Sequence, residues 1–216
     1  MVEAGVIIVH EGADYAVVEK PSGLLSVPGK GADKADCVVA RVRRMLPRAA
    51  GPMVVHRLDM ETSGLLVVGL TAAAQRDLSG QFEARRVRKG YAALLAGEVA
   101  EDSGEVSLPL RPDLLRRPFQ IVDAVHGRAA VTRYRVVARE TDRTRVEFEP
   151  VTGRSHQLRV HAATMRAAGG LGCPIIGDVL YGDASTGERL MLHATRLAFT
   201  EPGTGRGVEF ESAVPF

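Results

Sequence analysis

Cysteine, lysine and long apolar runs are all scarce in this chain of 216 residues. Cys37 and Cys173 are the only cysteines and no C-x-x-C pair occurs, so neither a disulfide framework nor a thiolate zinc site is indicated. A reducing, cytoplasmic setting is expected. No stretch approaches the roughly 20 apolar residues of a membrane span. The opening MVEAGVIIVHEGADY lacks a basic segment followed by a long apolar one, so no export signal is expected. Hydrophobic residues at 45% and charged residues at 25% are ordinary globular usage, which sets aside disordered and fibrous classes. The length suits a single catalytic domain over residues 1–216.

Lysine stands only at positions 20, 30, 34 and 89, so the positive charge is almost entirely arginine. Arginine's planar fork suits phosphates and base edges. An Arg-rich and Ala-rich sequence also follows from genomic base composition alone, and that blander reading carries more weight for the total. Clustering is more informative: Arg41, Arg43, Arg44 and Arg48 form one group, and Arg85, Arg86, Arg88 and Lys89 another. Local basic patches of this kind coexist with a formal net charge of +2.

Val6 to Val9 and Tyr15 to Glu19 are β-rich runs around a polar turn and predict an entering hairpin. KPSGLLSVPGKG follows as a loop. Asp36 is placed to cap a helix to about Leu46, with Val38, Val42 and Met45 at helical spacing. Val54-Val55 leads into HRLDMETSG, and Leu65 to Leu70 suits a strand buried on both faces. Thr71 caps a second helix to about Ala84, with Leu78 and Phe82 inward, and the second basic group lies at its end, where the helix dipole favours cations. Tyr91 to Val99 resumes strand character. Thr132, Tyr134 and Val136 alternate with Arg133 and Arg135, and Thr144, Val146 and Phe148 with arginines and glutamates, predicting a hairpin with one wet face. Ser155 is placed to cap a helix carrying Leu158, Ala162 and Met165; GGLGCPIIGD is loop-like, and strands are expected at Leu190 to Leu192, Leu197 to Thr200 and Val208 to Glu211. Many antiparallel strands with a few helices between them imply an α+β fold.

Three segments could carry chemistry. HRLDMETSG sets His56, Arg57, Asp59 and Glu61 in one loop between apolar strands. A loop aspartate is more often a turn or cap residue than a nucleophile, but charges wedged between core strands must be paired or open to a cleft. VTGRSHQLRVHA puts Arg154 at the mouth of a helix, where it serves either a structural salt bridge or as the cation that keeps a catalytic acid ionised. His156 and His161 are five apart and do not share a helix face as a metal pair would, so no metal is expected. Tyr91, after the basic cluster, is either a packed core residue or a platform for an extruded base. Lys20 and His193 are weaker candidates.

Taken together and in order, HRLDMETSG, RKGYAALLAGEV, TGRSHQLRVHA and RLMLHA resemble the RluA family of pseudouridine synthases. Within that family the EKPSGLLSVPG and HRLDMETSG segments are most similar to the member acting on both ribosomal and transfer RNA. The resemblance implies a mixed, mainly antiparallel sheet with flanking helices and a central catalytic cleft. It also implies no cofactor or metal, an RNA partner, no membrane association and a monomer. The S4-type RNA-binding domain of larger relatives is not expected ahead of this catalytic domain. It implies roles as well: Asp59 as nucleophile, Arg154 as its ion-pair partner and Tyr91 as the ring stacked on the target base. Arg57 would fill the space of the flipped nucleotide, Leu158 and Leu192 would line the pocket, and His56 and Lys89 would contribute to substrate binding. Two departures stand out. Phe119 in RRPFQ occupies a place where the family more often has a basic residue, and AATMRAAGGLGCPIIGD is longer than the usual link. The competing readings are a non-catalytic RNA-binding domain on the same scaffold and a glycosidase, the latter requiring a second acid roughly 5 to 9.5 Å from Asp59.

Overall fold

A computed structural model describes residues 5–31 and 34–216. The first four residues, on which the reading of the chain's start partly rests, lie outside the described residues. In chain order the elements are β1 (Ile7–Glu11), β2 (Tyr15–Lys20), α1 (Val38–Met45), β3 (Ser63–Gly69), α2 (Ala72–Glu83), β4 (Arg88–Ala96), β5 (Ser103–Ser107) and β6 (Leu110–Pro112). They continue with β7 (Gln120–Val122), β8 (Val131–Arg139), β9 (Arg143–Pro150), α3 (Gln157–Ala163), β10 (Leu192–Thr200) and β11 (Gly207–Glu211). Among the described residues the fold is α+β, mainly antiparallel, with three α-helices. Among the described residues no helix is long and apolar enough to cross a membrane. The chain divides into two compact units, the first up to Lys89 plus Ala194–Pro215, the second Gly90–His193 plus Phe216.

In the first unit β1, β2 and β3 form an antiparallel meander, and β10 pairs antiparallel with β11. The seven residues of β3 are all buried, as an apolar run without alternation requires. Tyr15, Val17, Leu65, Val67, Leu78, Val87, Leu197 and Phe199 make one apolar cluster. Each of the larger aliphatic side chains in it contributes about 1.5–3 kcal/mol by leaving water. Thr71 caps α2 as expected, its hydroxyl accepting from the Ala74 amide at 3.2 Å. For α1 the cap differs from expectation. Cys37, not Asp36, holds the position, with its sulfur 3.4 Å from the Ala40 amide. Asp36 instead binds the Arg41 guanidinium at 2.6 Å. Met45 is 45% exposed, so the inner stripe of α1 is Val38, Val39 and Val42. Gly64 is obligatory at the start of β3: its φ is +110°, and an added Cβ would lie 2.3 Å from the Ala194 carbonyl oxygen.

The second unit carries β4, β9, β8 and β5 side by side, all pairs antiparallel. The hairpin β8–β9 has the expected alternation, with Tyr134 opposite Phe148 and Arg135 opposite Glu147. Arg135 and Glu147 pair at 2.7 Å on the wet face. The short β6–β7 hairpin was not legible in the sequence. The start of α3 is also different, because His156, in the left-handed region at φ 53°, precedes the helix and no side chain caps it. Met165 is 72% exposed beyond the helix end.

Candidate active site

Asp59 sits half-buried on the loop between Val54 and β3, next to buried Leu58 and exposed Met60. That loop is held by the segment 20–26. Lys20 ends β2 opposite Gly64, and its side chain is fully buried. Its ammonium donates to the carbonyls of Pro21 at 2.9 Å, Leu24 at 2.7 Å and Met60 at 2.7 Å. The Gly23 amide also donates to Met60 O at 3.0 Å, and the Ser22 hydroxyl donates to Glu61 O at 2.7 Å. Ser26 donates to Leu58 O at 2.7 Å and accepts from the Leu58 amide at 3.0 Å. The residues on both sides of Asp59 are thus fixed through their backbone, which sets the carboxylate's position while leaving it half-open to solvent.

His56, three residues earlier, faces the fold. The Val67 amide donates to its Nε2 at 3.1 Å, so that nitrogen carries no proton. Its ring stacks on Phe82 with centroids 4.3 Å apart. Burial, reinforced by the positive charge of Lys89, pushes its pKa down to about 3. Burial also lowers the Lys89 ammonium below the usual lysine range. Arg57 is exposed. Among the described residues no three His, Cys, Asp or Glu side chains converge to hold a metal ion. Of the first basic group, Arg41 and Arg44 are engaged by Asp36, Arg48 by Glu11, and Arg43 by Gly51 O. Most of that cluster therefore serves local structure.

In the second unit Arg154 lies on the turn between β9 and α3 and donates through Nε to Ala129 O at 3.1 Å. The turn is clamped by the buried amide of Gln157, which the sequence reading did not single out. Its Oε1 accepts from the Arg154 amide at 3.0 Å and from the Thr152 hydroxyl at 2.7 Å. Its Nε2 donates to Val131 O and to Thr132 Oγ1, both at 2.9 Å. Thr132 lies in turn 3.0 Å from Nδ1 of His161, whose Nε2 is 3.2 Å from Leu108 O. A donor is needed at the Leu108 carbonyl, so Nε2 bears the proton and Nδ1 accepts. Burial pushes the His161 pKa down to about 4, consistent with a neutral ring.

Tyr91 stands on β4 opposite Phe148 and packs against an apolar cluster that contains Leu158 and Leu192. Leu158 is 7% and Leu192 3% exposed. Of the residues singled out in the sequence, the structure therefore brings His56, Arg57 and Asp59 onto one braced loop, with Lys89 near His56. It gathers Tyr91, Leu158 and Leu192 around one apolar surface, with Arg154 on the clamped turn that leads into the helix bearing Leu158.

A family model described as RNA pseudouridylate synthase matches residues 14–164. The dual-specificity RNA pseudouridine synthase RluA of Yersinia pestis is 44% identical over 214 residues, covering 97% of this chain and 100% of its own. The enzyme of that name from Escherichia coli K12 is 43% identical over 218 residues, covering 99% and 95%. Among solved structures, human RNA pseudouridylate synthase domain containing 1 superposes with a TM-score of 0.78 at 30% identity, covering 98% of this chain and 84% of its own. By the extent of the family match and by the identity shared along nearly the whole length, the chain belongs to the RNA pseudouridylate synthase family, whose members isomerise uridine to pseudouridine in RNA.

Proposed function

We propose that this chain converts uridine to pseudouridine in both ribosomal and transfer RNA, acting as a cytoplasmic monomer whose residues 1–216 form one catalytic domain. Its relatives named for dual specificity support the choice of substrates. In the reaction the N1–C1′ bond of uridine breaks, the ring turns while held, and a C5–C1′ bond forms. The C5 proton leaves and N1 gains one, so the product is an isomer. Asp59 is the nucleophile that assists departure of the base, and Arg154 is the guanidinium that pairs with it. Tyr91 stacks on the extruded uracil, with Leu158 and Leu192 as the apolar walls that retain it. Arg57 takes the place the flipped nucleotide vacates, and Lys89 and His56 complete the substrate-binding set.

The observation that carries this reading is the bracing of the Asp59 loop. Backbone contacts to Leu58, Met60 and Glu61 hold a half-exposed carboxylate in place, as a nucleophile that must meet a large substrate requires. The test is tritium release from uridine labelled at C5 in ribosomal and transfer RNA transcripts. Asp59→Asn is expected to lower turnover by at least about 1,000-fold, with thermal midpoint and RNA affinity unchanged. Turnover of the variant near that of the wild type would remove Asp59 from the role. Wild-type release from only one of the two RNA classes would refute dual specificity, and release from neither would leave an RNA-binding scaffold.

A further inference from the structure

Tyr181 lies in the loop after Pro174, a segment to which no role has so far been given. Three positions before it, the Asp178 carboxylate is fully buried and meets the Arg159 guanidinium of α3 with contacts of 2.8 and 2.6 Å. Desolvation works against the Asp178 charge, but the Arg159 hydrogen bonds outweigh it and hold the pKa below the usual carboxylate range. The same carboxylate accepts the amides of Leu180 at 2.9 Å and Tyr181 at 3.1 Å. The base of the loop is thereby locked to α3. Above it, the Tyr181 ring packs edge-on with Phe119 and with His156, and the Arg159 guanidinium lies 5.3 Å from its centroid.

The hydroxyl sits where β7 and the turn before α3 come together. It accepts the Gln120 amide of β7 at 2.7 Å and lies 2.7 Å from Nδ1 of His156. The Gln120 amide occupies one lone pair, and the hydroxyl is within hydrogen-bond distance of His156 Nδ1, which it can meet as the donor. His156 is the left-handed residue between Arg154 and α3, a conformation that costs a non-glycine residue of order 1 kcal/mol unless its surroundings impose it. Gln157 fixes the Arg154 side of this turn, and the Tyr181 hydroxyl fixes the His156 side.

We propose that Tyr181 is a positioning residue for the isomerisation. Its hydroxyl bolts His156, and through it the Arg154 turn, to the β6–β7 hairpin, so that the guanidinium is presented at a fixed angle. This rests on the reading of Arg154 as the partner of the nucleophile. A ring-only role would be served equally by phenylalanine, whereas the position of the hydroxyl at a junction predicts that oxygen alone matters.

The test is single-turnover tritium release at saturating enzyme, with RNA affinity and thermal midpoint measured on the same preparations, for Tyr181→Phe, His156→Ala and the double variant. Tyr181→Phe is expected to slow the saturated rate on the order of tenfold to a hundredfold, the range for a catalytic group displaced by about 1 Å. RNA affinity should stay within about threefold, because binding is not what the hydroxyl serves. The double variant should be no slower than the slower single one, since both changes break one linkage. A Tyr181→Phe rate within about twofold of wild type, a loss of affinity with the saturated rate intact, or additive effects in the double variant would each overturn the proposal. Arg154→Ala, assayed alongside, separates the two levels. If it retains the wild-type rate, the reading of the Arg154 turn has failed. If it is inactive while Tyr181→Phe is unimpaired, only the junction has failed.

Discussion

The Asp59 loop and the Arg154 turn each have one large buried polar side chain at the centre of their bracing, but the two units use opposite chemistry for it. Lys20 brings a full charge into the first unit and spreads it over three carbonyls. Gln157 brings a neutral amide into the second and fills both its acceptor and donor positions. A charge-assisted bond is roughly twice as strong as a neutral one, so the cationic brace grips harder. It also has more to lose, because desolvating an ammonium costs several kcal/mol that only complete coordination returns. The neutral clamp is weaker bond by bond and is woven into a longer chain through Thr132 to His161.

Breaking the charged brace should give the largest effect. Lys20→Met keeps much of the side-chain volume but removes the ammonium from the Pro21 and Leu24 carbonyls and leaves Met60 O with the Gly23 amide, and it is expected to destabilise the protein by about 4 kcal/mol. Urea unfolding checks this. Turnover of the folded fraction should fall as well, because Met60 beside Asp59 loses one of its two anchors. A cost under about 1 kcal/mol would show that the ammonium contributes no more than a surface charge.

Acid acts on the two braces differently. Lys20 keeps its proton as pH falls, whereas the neutral network ends in His161, whose Nδ1 must stay unprotonated to accept from Thr132. Its folded pKa, at about 4, lies below the unfolded value of 6.5. Between those limits the unfolded chain binds a proton that the native chain refuses, so stability is complete above pH 6.5 and declines as pH drops toward 4. One fully buried ring contributes about 3 kcal/mol over that window. His56, lowered to about 3 by burial, declines in the same direction, so the contribution of His161 is isolated by comparing wild type with His161→Gln at each pH. The stability difference between the two chains should shrink by that amount from pH 6.5 to 4. A constant difference would mean that His161 is protonated in the native state.

The contrast between the braces also marks how far the sequence could be read. Elements specified locally were legible: the Thr71 cap, the buried run of β3, and the alternation that pairs Arg135 with Glu147. Where a competing side-chain contact or a change of backbone direction decides, local patterns misled. Asp36 has the better capping side chain, but Arg41 and Arg44 draw its carboxylate away and Cys37 takes the cap. Met165 continues the helical spacing of α3, yet the chain turns extended at Thr164 and leaves it in solvent. The site divides the same way. Its candidate residues lie in contiguous motifs and were found as such. Lys20, read as a weak candidate, and Tyr181, not singled out at all, act on segments up to 40 and 61 positions away, and nothing local in EKPSG or DVLYG announces those partners.

The smallest of the expected effects sharpens the comparison most, because it asks whether a neutral clamp can be replaced. Gln157→Leu fills a similar volume but leaves the Thr152 hydroxyl and the Arg154 amide without their acceptor, and Val131 O and Thr132 Oγ1 without their donor. Val131 O still accepts the Val151 amide at 3.0 Å, and Thr132 can still reach His161. Only part of the network is therefore orphaned, and the cost should be about 2 kcal/mol in urea unfolding, half that of Lys20→Met. Gln157→Glu makes the finer cut. Its carboxylate keeps the two acceptor contacts to Thr152 and Arg154 but presents an oxygen to Val131 O and Thr132 where a donor stood. If the Arg154 turn depends on the acceptor half alone, Gln157→Glu should hold turnover close to wild type while losing stability. Equal loss of turnover in Gln157→Glu and Gln157→Leu would show that the turn is set by its tie to β8, and that the neutral clamp works only as a whole.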